Sequence, residues 1–146
     1  MTKTQTRKVL VVEDNELNMR LFCDLLDAYG FETYQCRDGA KAVEIARREL
    51  PDLIIMDIQL PEVSGLDITR WLKDDDKVAH IPVLAVTAFA MRADEQRVRE
   101  AGCEGYLSKP IQISTFIKAV EALMPKEAAW VPVSSLLMIS RPTGVS

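Results

Sequence analysis

The sequence contains one histidine, His80, and only three cysteines, Cys23, Cys36 and Cys103, with no C-x-x-C pair among them. An odd, scattered set of thiols offers neither a disulfide framework nor zinc-site spacing, so reduced and partly buried thiols are expected. His80 stands in the loop before Ile81 and Pro82, far in sequence from the acidic residues discussed below, and reads as a solvated side chain. No G-x-x-x-x-G-K-[ST] loop is present, which removes the usual cradle for a nucleoside triphosphate. No apolar run approaches the length of a membrane span, and Met1 to Lys8 is polar, with three basic residues and no apolar signal core. No membrane contact and a cytoplasmic location are therefore expected. A basic excess is also missing: the net charge is −4, so direct contact with nucleic acid is not expected. Internal repeats and low-complexity tracts are absent.

What remains is the composition of an ordinary globular chain. Its 146 residues, 48% hydrophobic and 27% charged, suffice for one domain with a real core. Apolar β-branched runs alternate with helical patterns. Lys8–Glu13 reads as a strand buried on both faces. Leu17, Leu21, Leu25 and Ala28 follow at helical spacing, with Asn15 as N-cap and Gly30 as stop. Glu32–Cys36 is a less apolar strand, expected at a sheet edge. Ala42, Val43, Ile45 and Ala46 belong to a second helix that ends before Pro51. Asp52–Asp57 is a third strand, and Leu66–Lys73 a third helix, on which Trp71 reads as a packing residue. Pro82–Thr87 is the fourth strand. Arg92–Ala101, a helix with few large apolar residues (Met91 and Val98), is expected to be the least firmly docked. Gly102 closes it, Gly105–Ser108 is a short fifth strand, and Ile113, Phe116, Ile117, Val120, Leu123 and Met124 mark one face of a fifth helix. Five βα units in series predict an α/β fold: a doubly wound, five-stranded parallel sheet with helices on both sides.

Such a sheet places its functional groups beyond the C-terminal strand ends. That rule selects Glu13, Asp14, Asp57, Thr87 and Lys109. Crowded carboxylates need a cation or a proton to offset them, and an all-oxygen ligand set suits Mg²⁺, with Mn²⁺ as a substitute. Asp14 and Asp57 are expected to bind it directly, together with a backbone carbonyl near Gln59, while the longer Glu13 acts through a water. Lys109 supplies a point positive charge for a phosphoryl oxygen and Thr87 a hydroxyl. A carboxylate nucleophile, a metal and a cation with a hydroxyl are the parts that phosphoryl transfer requires. Each residue taken alone has a plainer reading: Asp14 or Asn15 as a helix cap, Asp57 as the cap of the next turn, Thr87 as a strand-end residue, Lys109 as a solvated charge. Their coincidence at the ends of strands one, three, four and five favours the joint reading.

These residues carry a resemblance. Over Arg7 to Met124 the chain resembles bacterial two-component response-regulator receiver domains, in Glu13-Asp14, in Asp57 with the segment to Gly65, in Thr87-Ala88 and in Lys109-Pro110. The stretches around Val12–Asn18, Met56–Glu62, Val86–Met91 and Ser108–Ile111 are similar to the DivK-type single-domain regulators of cell division and cell fate. Leu60 stands where Met is commoner. The resemblance implies a CheY-like, flavodoxin-like (βα)5 fold with strand order 2-1-3-4-5. It implies that Asp57 accepts phosphate from a phosphohistidine on a histidine kinase, that Asp14, Asp57 and the Gln59 carbonyl hold Mg²⁺ with Glu13 one water away, and that Lys109 pairs with the phosphoryl group. Pro110 would follow Lys109 through a cis bond that aims the lysine. Thr87 and Tyr106 would act as switch residues, read out on the face of helix four, strand five and helix five. Gln59 and Phe89 would border the path of the hydrolytic water, with Phe89 shielding the acyl phosphate. Histidine kinases and other signalling proteins are the implied partners, with polar localisation through them.

Two alternatives carry less weight. A small Mg²⁺-dependent phosphohydrolase using Asp57 would want a carboxylate two residues on, where Gln59 stands. A flavodoxin-like cofactor binder would not place Glu13-Asp14 in its phosphate loop. The chain is thus expected to be a stand-alone switch and not an enzyme with a separate substrate. Residues 125–146, with Trp130 and the Leu136–Ile139 run, are expected to form a tail that is disordered or loosely docked.

Overall fold

The computed structural model describes residues 7–88 and 92–124. Phe89 and Met91, like the tail with Trp130 and Leu136–Ile139, lie outside the described residues. Five strands, β1 (Lys8–Val12), β2 (Glu32–Cys36), β3 (Leu53–Asp57), β4 (Val83–Thr87) and β5 (Gly105–Ser108), form one parallel sheet in the order β2-β1-β3-β4-β5. Helices α1 (Glu16–Ala28), α2 (Ala42–Glu49), α3 (Gly65–Lys73), α4 (Arg92–Ala101) and α5 (Ile113–Leu123) connect and follow them, and a 3-10 turn at Gly39–Lys41 leads into α2. The expected fold class and strand order are those observed. None of these helices is long and apolar enough to cross a membrane.

The three inner strands, β1, β3 and β4, read as largely apolar because both their faces are covered, whereas β2 and β5, at the two edges of the sheet, are less apolar and only partly buried. Side chains alternate along each strand. Leu10, Val12, Ile54, Met56, Val83 and Ala85 point into one core, which holds the buried side chains of α2, α3 and α4. Val9, Val11, Leu53, Ile55, Leu84 and Val86 point into the other, under α1 and α5. The rings of Phe22 on α1 and Phe116 on α5 stack there, with centroids 5.3 Å apart. All three cysteines are buried free thiols, and burial raises each thiol pKa.

Local chemistry fixes the helix ends. Asn15 Oδ1 accepts the N–H of Asn18 at 2.9 Å and caps α1, as expected. Ser64 Oγ accepts from Leu66 at the start of α3. Gly30 and Gly102 take φ of +88° and +105° just past α1 and α4, where a side chain would be strained.

Three readings of side-chain placement need correction. On α1 the core takes Met19, Phe22, Cys23 and Leu26, whereas Leu17 is 76% exposed and Leu21 also faces outward. Trp71 is half exposed, because α3 turns Leu66, Ile68, Thr69 and Leu72 inward instead. Ile113 stands outside the α5 core row.

Candidate functional site

The strand register brings the candidate residues to one edge. Val12 pairs with Met56, so Glu13 follows β1 beside Asp57, the last residue of β3. Asp57 pairs with Val86, and Thr87 with Ser108, so Thr87 and Lys109 fall on the same rim. Glu13 still donates its N–H to Cys36 O at 3.0 Å before the chain leaves the sheet. Its carboxylate then turns back and accepts the Asn15 N–H on Oε2 at 3.1 Å. The two acids of the pair therefore part: Glu13 is fully buried and Asp14 is exposed. Asp57, also buried, accepts the Gln59 N–H on Oδ1 at 2.9 Å. The local turn and cap roles of Asn15 and Asp57 are thus real. They leave Glu13 Oε1 and Asp57 Oδ2 facing the rim.

Lys109 stands over those two oxygens. Its Nζ is 3.5 Å from Glu13 Oε1 and 3.8 Å from Asp57 Oδ2, with the side chain one-fifth exposed. The Lys109 N–H donates to Thr87 O at 2.7 Å, and the bond to Pro110 is cis, as expected. One ammonium cannot satisfy all the charge. Glu13 Oε1 is buried yet receives no hydrogen bond, its compensation being the longer contact with Lys109. Burial first, then the charge of Asp57, pushes the Glu13 pKa up to about 7, against the pull of the Asn15 N–H and of Lys109. One oxygen from each of Glu13, Asp14 and Asp57 lies within 4.8 Å of the others. An orphaned buried oxygen inside an all-oxygen cluster is the environment that a hard divalent cation relieves, either directly or through one of its waters.

The loop after β3 closes tightly on this cluster. Gly65 donates its N–H to Ile58 O, and a Cβ at Gly65 would stand 2.2 Å from Asp57 O. Only glycine lets α3 begin so close to the back of Asp57. The sequence segment from Asp57 to Gly65 contains this residue, yet nothing in its spacing announced the contact. The Gln59 side chain was likewise unanticipated in detail: its Oε1 accepts the Ala88 N–H at 2.9 Å, across from the β3–α3 loop to the β4–α4 loop. Thr87 is buried at the end of β4. Tyr106 is half-buried on β5 and borders a groove of about 220 Å³ against Val98, Arg99 and Cys103. Phe89, the other residue expected beside the hydrolytic water, lies outside the described residues.

The response regulator receiver domain profile matches residues 9–121. The chain belongs to the response regulator receiver domain family. The polar-differentiation response regulator DivK of Brucella anthropi is 58% identical over 118 residues, which span 81% of this chain and 96% of that protein. DivK of Brucella ovis is 58% identical over 119 residues, covering 82% and 97%. Among solved structures, chemotaxis protein CheY4 of Vibrio cholerae superposes with a TM-score of 0.78 at 24% identity, over 82% of this chain and 100% of that one, which speaks to the fold. The receiver domain of the sensor histidine kinase PA1611 from Pseudomonas aeruginosa superposes with a TM-score of 0.75 at 29% identity, over 82% and 98%; in it a magnesium ion is coordinated in the active-site cleft. This receiver is therefore a response regulator of the DivK-like kind, and the matches extend over nearly the whole of those DivK chains.

Proposed function

We propose that this receiver accepts a phosphoryl group from a phosphohistidine onto Asp57 in a Mg²⁺-dependent reaction, and that the modification biases the α4–β5–α5 face toward binding other signalling proteins. The observation that carries this reading is the Lys109 ammonium held over a buried Asp57–Glu13 pair whose Glu13 Oε1 lacks a hydrogen bond. Asp14, Asp57 and the Gln59 carbonyl would hold the metal, with Glu13 Oε1 accepting from a metal-bound water. When bound, Mg²⁺ neutralises charge on the transferred group and draws the anionic partners together.

The chain's own residues do the remainder. Asp57 attacks phosphorus with a carboxylate lone pair. The O–P bond forms as the N–P bond breaks, and the imidazole of the donor leaves with that electron pair. Lys109 steadies a phosphoryl oxygen as a point charge, and the Thr87 hydroxyl donates to another. Lys109 needs no large movement for this, since it already stands within 4 Å of Asp57. The Gln59 position argues against turnover of a separate phosphomonoester: its side chain offers no acid and is engaged with the Ala88 N–H. The receiver thus acts on itself and not as an enzyme for another substrate.

Histidine kinases are the partners that such chemistry requires. Leu17 and Leu21, one turn apart on α1 and both turned to solvent, give the rim an apolar border suited to a protein partner. Likeness to regulators named for polar differentiation supports a role in cell-cycle or cell-fate control, in the cytoplasm and at a pole when a partner recruits it. The test is intact-mass spectrometry after incubation with acetyl phosphate and Mg²⁺. A single phosphoryl gain in wild type, absent in Asp57→Asn and in wild type with EDTA, is expected. An equal gain in Asp57→Asn would overturn the assignment.

A further inference from the structure

Asn15 belongs to the rim and to helix α1 at once. It ends the segment that leaves β1, and its backbone N–H donates to Glu13 Oε2 at 3.1 Å. Its side-chain Oδ1 accepts the N–H of Asn18 at 2.9 Å, and its carbonyl accepts the N–H of Met19, also at 2.9 Å. Met19 is fully buried in the core under α1, so the first turn of the helix is anchored from below. The Asn15 ψ of 121° lies far from the helical value of about −42° and turns the chain from the line of β1 into α1. Asn15 itself is exposed, and its one side-chain oxygen is committed to the helix, not to the acidic cluster of Glu13, Asp14 and Asp57. The phosphoryl chemistry as described gives this side chain no part.

From this geometry we infer that Asn15 is a positioning residue for the cation: by capping α1 with its side chain it keeps its own N–H on the Glu13 carboxylate, and so aims Glu13 Oε1 at the rim. The inference rests on the reading that Mg²⁺ binds there. Glu13 is fully buried; its Oε2 holds the Asn15 N–H, while its Oε1 receives no hydrogen bond. Freed from that donor, the carboxylate turns to seek another, and Oε1 leaves its place 3.5 Å from Lys109 Nζ. The side chain matters because alanine, which cannot cap, prefers a helical ψ to one of 121°. A helical residue 15 extends α1 at its start. Asp14 must then swing, since the Glu13 N–H stays on Cys36 O at 3.0 Å on the sheet side. Cation occupancy and the order of the first turn of α1 are thereby linked, and the link runs in both directions. That turn carries Leu17, 76% exposed, so the link reaches the apolar border of the rim.

Two measurements on the full chain test this, one without metal and one with it. In EDTA, NMR amide exchange gives the protection of residue 15, corrected for its intrinsic rate, in wild type, Asn15→Ala and Asn15→Ser. Serine caps as well as asparagine, and alanine does not. Loss of a cap of ordinary strength predicts protection about threefold to tenfold lower in Asn15→Ala, recovered in Asn15→Ser. Equal protection in wild type and Asn15→Ala overturns the positioning role. The second measurement titrates MgCl₂ against the Gln59 and Lys109 amide resonances. Asn15→Ala should raise the Mg²⁺ dissociation constant about threefold to tenfold, with Asn15→Ser within about twofold of wild type. Ala28→Gly, at the exposed far end of α1, weakens the helix without touching the cap and should leave the constant within about twofold of wild type. An effect of Ala28→Gly as large as that of Asn15→Ala assigns the loss to helix stability and removes the positioning role. In wild type, saturating Mg²⁺ should raise the protection of the Asn18 amide, and an unchanged amide severs the link to α1. A wild type that shows no Mg²⁺ shift sinks the cation reading and this link with it, whereas lost protection in Asn15→Ala would still assign the orientation of Glu13 to the cap.

Discussion

Glu13 is the residue through which the rim can be interrogated most directly. Its carboxyl is fully buried, and burial together with the charge of Asp57 raises its pKa from 4.5 in the open chain to about 7. A raised acid favours the folded state below the open-chain value, where both states carry the proton. That contribution is lost as pH climbs through the window from 4.5 to about 7, because the folded protein must then give up a proton it holds more tightly. A displacement of this size corresponds to about 3 kcal/mol between the two ends of the window. Glu13→Gln fixes the neutral form. In EDTA at pH 8 it should exceed wild type in stability by up to about 3 kcal/mol, shrinking to about 1 kcal/mol at pH 5. Urea denaturation followed by far-ultraviolet circular dichroism at both pH values measures the difference, and the comparison between variants cancels the carboxylates they share. Saturating Mg²⁺ should reverse the order at pH 8, since a bound cation repays the charge that the wild type holds. A stability gap between the two proteins that does not change with pH in EDTA would refute the burial argument, and a gap that Mg²⁺ leaves untouched would detach Glu13 from the metal.

Three further perturbations probe what holds the rim in place. Gly65→Ala puts a Cβ 2.2 Å from Asp57 O and 2.9 Å from Ile58 Cα, so backbone must shift; a loss of about 1–3 kcal/mol in urea and a slower acetyl-phosphate reaction are expected. Lys73 donates to Ala79 O, Ile81 O and Glu104 Oε2, and Glu104 Oε1 takes the Val83 N–H, so one side chain ties α3 to the starts of β4 and β5. Lys73→Met should cost about 1–3 kcal/mol by thermal denaturation, with no change in the pH dependence assigned to Glu13. Phe116→Ala removes the ring stacked on Phe22 in the α1–α5 core, and a loss of about 3–5 kcal/mol is expected in urea.

The sheet was legible because parallel strands covered on both faces leave a plain signature: Leu10 and Val12 serve one core while Val9 and Val11 serve the other, so no polar residue interrupts the run. The same alternation placed Asp57, Thr87 and Lys109 at strand ends before any contact was known. Helix α1 was harder. It carries two apolar rows, Leu17-Leu21-Leu25 and Met19-Phe22-Cys23-Leu26, and periodicity reports that a row exists without saying which one meets the sheet. The choice is tertiary: Phe22 has Phe116 to stack on, and Leu17 has no such partner in either core cluster. Trp71 keeps about half of its surface in solvent for a related reason: its place on α3 lies between the inward positions Thr69 and Leu72.

The deepest part of the site was the least legible. In sequence Glu13 and Asp14 are adjacent acids that differ by one methylene, yet one is sealed inside the rim and the other faces water. What separates them is the last β1 hydrogen bond to Cys36 and the Asn15 N–H that captures Glu13 Oε2, both of which depend on where β2 ends and where α1 begins. The orphaned Oε1 follows from that capture, because the same carboxylate cannot turn its second oxygen to another backbone donor while Lys109 stays 3.5 Å away. The charge imbalance at the rim is therefore a property of where the segments after β1, β3 and β5 meet. If Mg²⁺ binds there as proposed, re-registering any one of them should weaken the Mg²⁺ affinity read by titration, even with every acidic residue intact.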